Sequence, residues 1–268
     1  MGPAAQGHME LEDRPDLAQR LKDAIPAATL IAMRPSLSGG PDEILVVERS
    51  RSLAFAGGMI AFPGGRIEAA DAVLARRFAP ELPPAEGTAR VAALRETFEE
   101  TGLLCALRDD PDPADLHRTR AELLAGADFD ALLADRGWVL DTAALTPFAR
   151  WCPPAGITLT RRFDARFYIA RAPANATVSP DMTENAASFW ASAASLIEDA
   201  ESGGLKLLGP TRATLMRLAM GRGFADAKAS ALAFPVREIM PVVRSEGSES
   251  WAGVPAGHGY PDVDFPLR

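Results

Sequence analysis

The order of hydrophobic and polar positions along the chain predicts an alternation of short strands and helices. Apolar runs at residues 29–33 and 43–47 have the length of strands, and the turn-rich stretch 35–41 separates them. This pattern indicates a hairpin-like start to a sheet. Later strands are predicted at residues 139–145, 163–169 and 188–190.

Helices are predicted where apolar positions recur every three or four residues between caps and breakers. Thr88 is the expected N-cap of a helix that runs to Thr101 and stops at Gly102. Other helices are predicted at residues 17–24, 69–78, 116–133, 193–200 and 211–220, the last capped by Thr211. The stretch 235–268 is rich in Gly and Pro and is expected to wrap the surface. We see no repeat and no linker, so the alternation predicts one α/β sandwich.

Composition and charge narrow the class of function. A chain of 268 residues with 47% hydrophobic content can bury a full core, and it contains no run of about 18 apolar residues that would favour a membrane span. The formal net charge of -8 gives no broad basic field of the kind that binds nucleic acids. We therefore expect a soluble protein with neither a nucleic-acid nor a membrane partner.

The ends of the chain and its cysteines add few constraints. Residues 1–9 resemble a cloning remnant, which leaves a single domain over residues 10–268. Cys105 and Cys152 lie far apart without the spacing of a zinc site, so buried thiols are expected. The chain shows no secretory segment and ends without the Ser-Lys-Leu peroxisomal address, which favours a cytoplasmic location.

Three glutamates in the helix predicted at residues 88–101 are the first candidates for chemistry. Glu96, Glu99 and Glu100 fall at i, i+3 and i+4 on one helical face. Such like charges destabilise an isolated helix by roughly 0.2 to 0.5 kcal/mol per pair, whereas clustered carboxylate oxygens bind hard divalent cations. Arg95 lies four residues before Glu99 and can hold its carboxylate while the other two face a metal. A solvated acidic face is the alternative interpretation.

The string from Arg95 to Leu103, with Phe-Pro-Gly-Gly at residues 62–65 upstream, resembles the signature of the Nudix hydrolases. That signature reads Gly, five residues, Glu, seven residues, then Arg-Glu-apolar-any-Glu-Glu-any-Gly-apolar. Its second half is matched by Arg95, Glu96, Glu99, Glu100, Gly102 and Leu103, with Thr97 in place of an apolar residue. The resemblance implies an α/β/α sandwich with a mixed sheet and a Mg²⁺- or Mn²⁺-dependent hydrolase.

The first half of the signature is interrupted. The interval from Gly65 to Arg95 is 30 positions, where the uninterrupted signature needs about 14, so roughly 16 residues are inserted, by our interpretation near residues 79–84. Asp71 stands at the expected spacing from Gly65, and Glu86 lies one position off the expected spacing to Arg95. The sequence therefore leaves the first family glutamate unplaced.

The resemblance also implies roles for individual residues. In Nudix enzymes, carboxylates matching Glu96 and Glu100 bind the metal, helped by a backbone carbonyl that maps onto Gly64, and we include Glu99 among the candidate ligands. A metal-bound water attacks phosphorus, because the cation lowers the pKa of that water and neutralises charge on the phosphate. Several members place an additional glutamate in the region of Glu184, which is therefore either a catalytic residue or a plain loop acid.

Residues 161–168 form a second informative string. Strand periodicity places Arg162, Asp164, Arg166 and Tyr168 on one face and Phe163, Ala165 and Phe167 on the other. Arg162 and Arg166 could bind substrate phosphates through two hydrogen bonds each, with Asp164 holding one of them. A structural ladder of ion pairs explains the same pattern equally well.

This string, together with the interrupted box and residues 239–241, resembles the Nudix motif 19 group, whose animal members are peroxisomal CoA diphosphatases. Bacterial CoA-cleaving members carry Arg-Ser, then Arg, then Gly before Phe-Pro-Gly-Gly. Arg49, Ser50 and Gly58 match this pattern, and Ala54 replaces the second arginine. The resemblance implies CoA or acyl-CoA as the leading substrate.

Two other functions are kept as alternatives. ADP-ribose-cleaving members carry a proline about 15 residues beyond the box, where this chain has His117 and Arg118, so ADP-ribose ranks below CoA. A non-catalytic Nudix-fold module that binds nucleotides is the alternative from another class, and such proteins usually lose box carboxylates that this chain keeps. In each case the expected partner is a small nucleotide-like diphosphate, and a homodimer is compatible with the sequence.

Overall fold

A computed structural model describes residues 21–53, 56–154, 161–247 and 249–266. The cloning remnant, most of the helix predicted at residues 17–24, and Ala54 of the CoA-type pattern lie outside these ranges. No helix within them is long and apolar enough to span a membrane. Cys105 and Cys152 are buried free thiols, as predicted.

An eight-stranded mixed sheet forms the centre of the protein. Its strands are β1 (Ile25–Arg34), β2 (Glu43–Arg49), β3 (Ile60–Ala61), β4 (Gly64–Arg66), β5 (Thr146–Trp151), β6 (Phe163–Arg171), β7 (Asn185–Ser192) and β8 (Glu238–Ile239). They follow the order β3-β2-β1-β6-β5-β8, with β4 also paired to β1 and β7 to β2. The pairing of β1 with β6 is parallel and that of β1 with β2 is antiparallel. Strands predicted at residues 29–33, 43–47, 163–169 and 188–190 are confirmed.

Helices cover both faces of this sheet. They are α1 (Ala69–Phe78), α2 (Pro84–Thr101), α3 (Pro113–Leu124), α4 (Phe129–Arg136), α5 (Ala193–Glu201), α6 (Gly209–Leu218) and α7 (Phe224–Ala233). Alternation along β1 sends Leu30 into the core beneath α2 and Ile31 into the core beneath α6. On β6, Tyr168 and Phe167 divide in the same way. The predicted α/β/α sandwich is therefore confirmed.

Three predicted boundaries need correction. Helix α2 begins at Pro84 rather than after Thr88, since proline suits the first helical turn and the Thr88 hydroxyl bonds back to the Pro84 carbonyl at 2.7 Å. Helix α6 begins at Gly209, ahead of Thr211. The span predicted as one helix at residues 116–133 is two helices, because Asp128 caps a second one.

The strand predicted at residues 139–145 was wrong. Residues Thr142–Ala144 form a 3₁₀ turn, and the strand follows as β5. Leu140 and Leu145 are both buried in the core beneath α2, which explains apolar residues at these positions without a strand. The pattern of hydrophobic residues alone did not distinguish buried leucines on either side of a turn from alternating positions of a strand.

The C-terminal stretch is more ordered than predicted. It contains β8 and a second sheet of β9 (Val242–Glu246), β10 (Glu249–Gly253) and β11 (Asp264–Pro266), in the order β11-β10-β9. Ala252, Val263 and Phe265 are buried in the same core as α6. This part of the chain therefore closes one face of the sandwich instead of only wrapping its surface.

Candidate active site

The last turns of α2 lie directly against the start of β4. Gly102 has a left-handed φ of 74° and ends the helix, as predicted. A Cβ on Gly65 would lie 2.3 Å from the Glu96 carboxylate, and a Cβ on Gly64, whose φ is 153°, would lie 2.4 Å from the Ala28 carbonyl. Gly64 requires glycine because the clash is with backbone atoms, whereas a side chain at Gly65 would displace the Glu96 carboxylate, so Gly65 is what lets this carboxylate approach the sheet.

Arg95 organises the carboxylates around it. Its guanidinium donates to Asp71 at 2.8 and 3.0 Å, and to Glu96 and Glu99 at 3.0 Å each. A further bond at 3.0 Å reaches the Arg66 carbonyl. Burial opposes the charge on Arg95, but the bond to Asp71 and the nearby carboxylates raise its pKa. The predicted contact between Arg95 and Glu99 is therefore confirmed, and Asp71 is a further partner of Arg95, with two hydrogen bonds, that the sequence analysis did not predict.

Asp71 stands at the spacing from Gly65 that the signature gives to its first glutamate. It is fully buried on α1, and it bonds the signature arginine. Glu86 lies elsewhere and accepts hydrogen bonds from Arg90, Arg166 and the Tyr168 hydroxyl. The residues in excess of the signature spacing therefore lie between Asp71 and Arg95, an interval that holds the rest of α1, the turn after it and the first turns of α2.

Glu100 is the most buried of the three box glutamates. One of its oxygens accepts a hydrogen bond from the Gly64 amide at 3.0 Å. Burial, followed by repulsion from Glu96, raises the pKa of Glu100 to about 8, although bonds from Gly64 and Asn185 oppose the shift. Burial also raises the pKa of Glu96 to about 7 despite the opposing charge of Arg95. Both carboxylates thus lie where their charge is poorly compensated.

The oxygens of Glu96, Glu99 and Glu100 are donors of the kind that bind divalent cations, although these side chains are not arranged as a metal site in this structure. Across the part of the chain that the structure describes, no group of three or more Asp, Glu, His or Cys side chains could hold a metal ion. Glu96 and Glu99 instead bond Arg95, and Glu100 bonds Gly64. Hard oxygen donors whose pKa is raised by burial are the donors that a bound cation stabilises in their charged form.

Glu184 lies at the same edge of the sheet as the box. It is exposed in the turn before β7, and its carbonyl accepts a hydrogen bond from the Ser50 amide at 2.8 Å. The next residue, Asn185, is fully buried, and its side chain lies close enough to Glu100 to oppose the rise of that carboxyl's pKa. Arg120 donates to the Glu99 carbonyl at 2.9 and 3.0 Å. No spacing in the sequence pointed to Asn185 or Arg120, because both reach the site from distant segments.

The two arginines predicted to bind substrate lie on or next to β6. Arg166 donates to Glu86 at 2.9 Å, which is one rung of the ion-pair ladder that the sequence allowed. Asp164 accepts two hydrogen bonds of 2.8 Å from Arg150. Arg162 directly precedes β6, and its carbonyl accepts from the Ile25 amide. The binding role of Arg162 and Arg166 stays a prediction.

The fold and the box together define the class of the protein. The family model of the NUDIX domain matches residues 26–206, which is more than half of the chain, so the protein belongs to this family and is a Nudix hydrolase. It is similar in structure to a NUDIX hydrolase from Alicyclobacillus acidocaldarius, with 32% identity, a TM-score of 0.68 and coverage of 77% of this chain and 96% of that chain.

A curated relative is also similar in sequence. It is acyl-coenzyme A diphosphatase NUDT19 of Xenopus laevis, with 26% identity over 60% of this chain and 55% of that protein. This chain therefore spans about half the length of the curated relative that it matches.

Removing Asp71 should destabilise the fold. We expect Asp71→Ala to lower the free energy of unfolding by roughly 3 kcal/mol, because Arg95 stays buried with its best partner gone. Asp130→Ala is the matched control, since Asp130 pairs with Arg77 at the surface and its loss should cost less than about 1 kcal/mol. Urea denaturation measures both, and equal losses would contradict the assignment.

The stability of the metal-free protein should fall as pH rises from about 4.5 to about 8. Glu96 and Glu100 have folded-state pKa values of about 7 and about 8, against an ordinary value of 4.5. The folded protein therefore holds protons in this window that the unfolded chain has released, and stability declines with pH. Below this window the two carboxyl groups are protonated in both the folded and the unfolded protein, and their contribution to stability is fully present.

Other groups titrate in the same range, so the informative comparison is with Glu100→Gln. The decline measured by urea denaturation should be shallower in this variant, and added Mn²⁺ should restore stability at pH 8 only where Glu100 is present. Identical slopes in the two proteins would count against a buried, uncompensated Glu100.

Proposed function

We propose that this protein hydrolyses the diphosphate linkage of a nucleotide-like substrate with Mg²⁺ or Mn²⁺ and that its substrate is CoA or acyl-CoA. The observation that carries the proposal is the placement of Glu96 and Glu100 against Gly64 and Gly65, with Arg95 held by Asp71. Two carboxylates with a raised pKa converge there on one backbone edge. Buried carboxylates with raised pKa values are more typical of a divalent-cation site than of a solvated acidic face.

Each residue has a distinct task in this proposal. Glu96 and Glu100 hold the cation, with Glu99 and the Gly64 carbonyl as further candidate ligands, and Arg95 keeps Glu96 and Glu99 oriented. The bound cation supplies Lewis acidity and lowers the pKa of water. Glu184 carries an exposed carboxylate at the same edge and is the candidate to accept the proton of the attacking water.

CoA is favoured as the substrate by one observation, and a second supports the binding of a phosphate group in general. The similarity to an acyl-coenzyme A diphosphatase covers 60% of this chain, at 26% identity. Arg49, at the end of β2, influences the charge of Glu100 and has a buried Nε without a hydrogen-bond partner among the described residues. A guanidinium with an unused donor beside a metal site suits a phosphate oxygen. An ADP-ribose-type diphosphatase is the alternative substrate class.

Glu100→Gln should abolish most turnover while leaving the fold intact. The change removes a ligand charge but keeps the side-chain volume, and it also removes a buried carboxylate that the metal-free protein stabilises poorly. Assays should use CoA, dephospho-CoA and ADP-ribose with Mn²⁺, with detection of the nucleoside monophosphate product. Glu201→Gln, a change to an exposed residue, is the control and should keep full activity. Near-normal turnover of Glu100→Gln at limiting Mn²⁺ would refute the metal assignment.

The two arginines should respond differently to alanine substitution. Arg162→Ala should lower kcat/KM on CoA by about tenfold to a hundredfold, the equivalent of one charge-assisted hydrogen bond of roughly 1.5 to 3 kcal/mol, with a smaller effect on ADP-ribose. Arg166→Ala removes one of the three groups that donate to Glu86 and should lower the melting temperature and all activities in parallel. A substrate-selective effect of Arg166→Ala would instead assign this arginine to binding.

A further inference from the structure

The turn before β7 is held by one carboxylate. Asp181 Oδ1 accepts hydrogen bonds from the Thr183 amide at 2.6 Å, the Thr183 hydroxyl at 2.8 Å, the Glu184 amide at 2.7 Å and the Asn185 amide at 3.2 Å. Its Oδ2 accepts from the Asn185 side chain at 2.9 Å. These bonds outweigh the burial of Asp181 and lower its pKa.

Apolar packing does not account for the shape of this turn. Residues 182–184 are all exposed, and Met182 adopts a left-handed φ of 64° with 72% of its surface accessible. A methionine in this conformation is unfavourable without compensation. The bonds to Asp181 supply that compensation, so the conformation of the turn depends on this carboxylate.

The turn ends on a residue that touches the proposed metal ligand. Asn185 is fully buried; its amide nitrogen bonds Asp181, and its side chain lies close enough to Glu100 to oppose the rise of that carboxyl's pKa. Its Oδ1 is buried without a hydrogen-bond partner among the described residues. Glu184, one residue earlier, is fixed through its carbonyl to Ser50. The start of the same loop is fixed to the end of α2, since the Ser179 amide donates to the Thr101 carbonyl.

We propose that Asp181 is a positioning residue that orients Asn185 against Glu100 and places Glu184 at the edge of the site. This inference rests on the proposed function, because it assigns a task to the loop facing the proposed metal ligands. Asn185 is the link: its amide nitrogen bonds the carboxylate that shapes the turn, and the same side chain lies beside the carboxylate that would bind the cation. Without Asp181, Asn185 would be free to rotate away from Glu100.

The test compares Asp181→Ala with Asp128→Ala. Asp128 also accepts a backbone hydrogen bond, from the Ala131 amide at 2.8 Å, but it caps α4. Loss of partners that orient metal ligands typically weakens metal binding by about tenfold to a hundredfold. We expect Asp181→Ala to bind Mn²⁺ about tenfold more weakly in calorimetry and to lower kcat at saturating Mn²⁺ by a similar factor, with the KM for the diphosphate unchanged. Asp128→Ala should change only the melting temperature.

Two further measurements separate positioning from general destabilisation. Amide hydrogen exchange should accelerate at residues 183–185 in Asp181→Ala and not in Asp128→Ala. Asp181→Glu, which restores the carboxylate, should recover part of the Mn²⁺ affinity. If Asp181 acts through Asn185, the double variant Asp181→Ala with Asn185→Ala should bind Mn²⁺ no more weakly than Asn185→Ala alone.

The outcomes distinguish this inference from the function on which it rests. Wild-type turnover combined with an Asp181→Ala variant of normal Mn²⁺ affinity and kcat would overturn the inference and leave the function standing. Additive losses in the double variant would also overturn it, because Asp181 would then act independently of Asn185. A wild-type protein that binds no Mn²⁺ and cleaves no diphosphate would overturn both.

Discussion

The buried ion pair between Arg95 and Asp71 is the interaction on which the rest of the site depends. Three glutamates on one stretch of α2 repel one another, and a buried arginine among them is tolerable only with a partner that is fully removed from water. Asp71 provides this partner with bonds of 2.8 and 3.0 Å. Because Asp71 belongs to α1, the pair also fixes α1 against α2, and the orientation of Glu96 and Glu99 follows from it.

The same helix is held at its other end by a second ionic group. Glu86 joins Arg90 on α2 with Arg166 and Tyr168 on β6. Both Glu86 and Arg90 lie between Asp71 and Arg95, the interval that is longer than the family signature allows, and they tie the first turns of α2 to the sheet. Asp71 and Arg95 are thus in contact although 24 positions separate them along the chain.

Stability and chemistry conflict at Glu96 and Glu100. Their pKa values of about 7 and about 8 mean that the folded, metal-free protein would be more stable with neutral side chains there. Ionisable groups that destabilise the fold in this way are concentrated at functional sites, because a bound ligand can offset the destabilisation. Gly65 of β4 belongs to the same arrangement, since a side chain at this position would displace the Glu96 carboxylate.

By itself, the sequence determined the sandwich, the box helix from Arg95 to Gly102 and the contact of Arg95 with Glu99, because hydrophobic period, helical spacing and the glycine stop are local properties. It could not choose between Asp71 and Glu86, and it did not single out Asn185 or Asp181. It also placed a strand at residues 139–145, where the apolar side chains anchor a loop in the core. Only the tertiary structure decided these points, because each depends on contacts between segments far apart in the chain, whose geometry is set by packing of the sheet and helices rather than by local pattern.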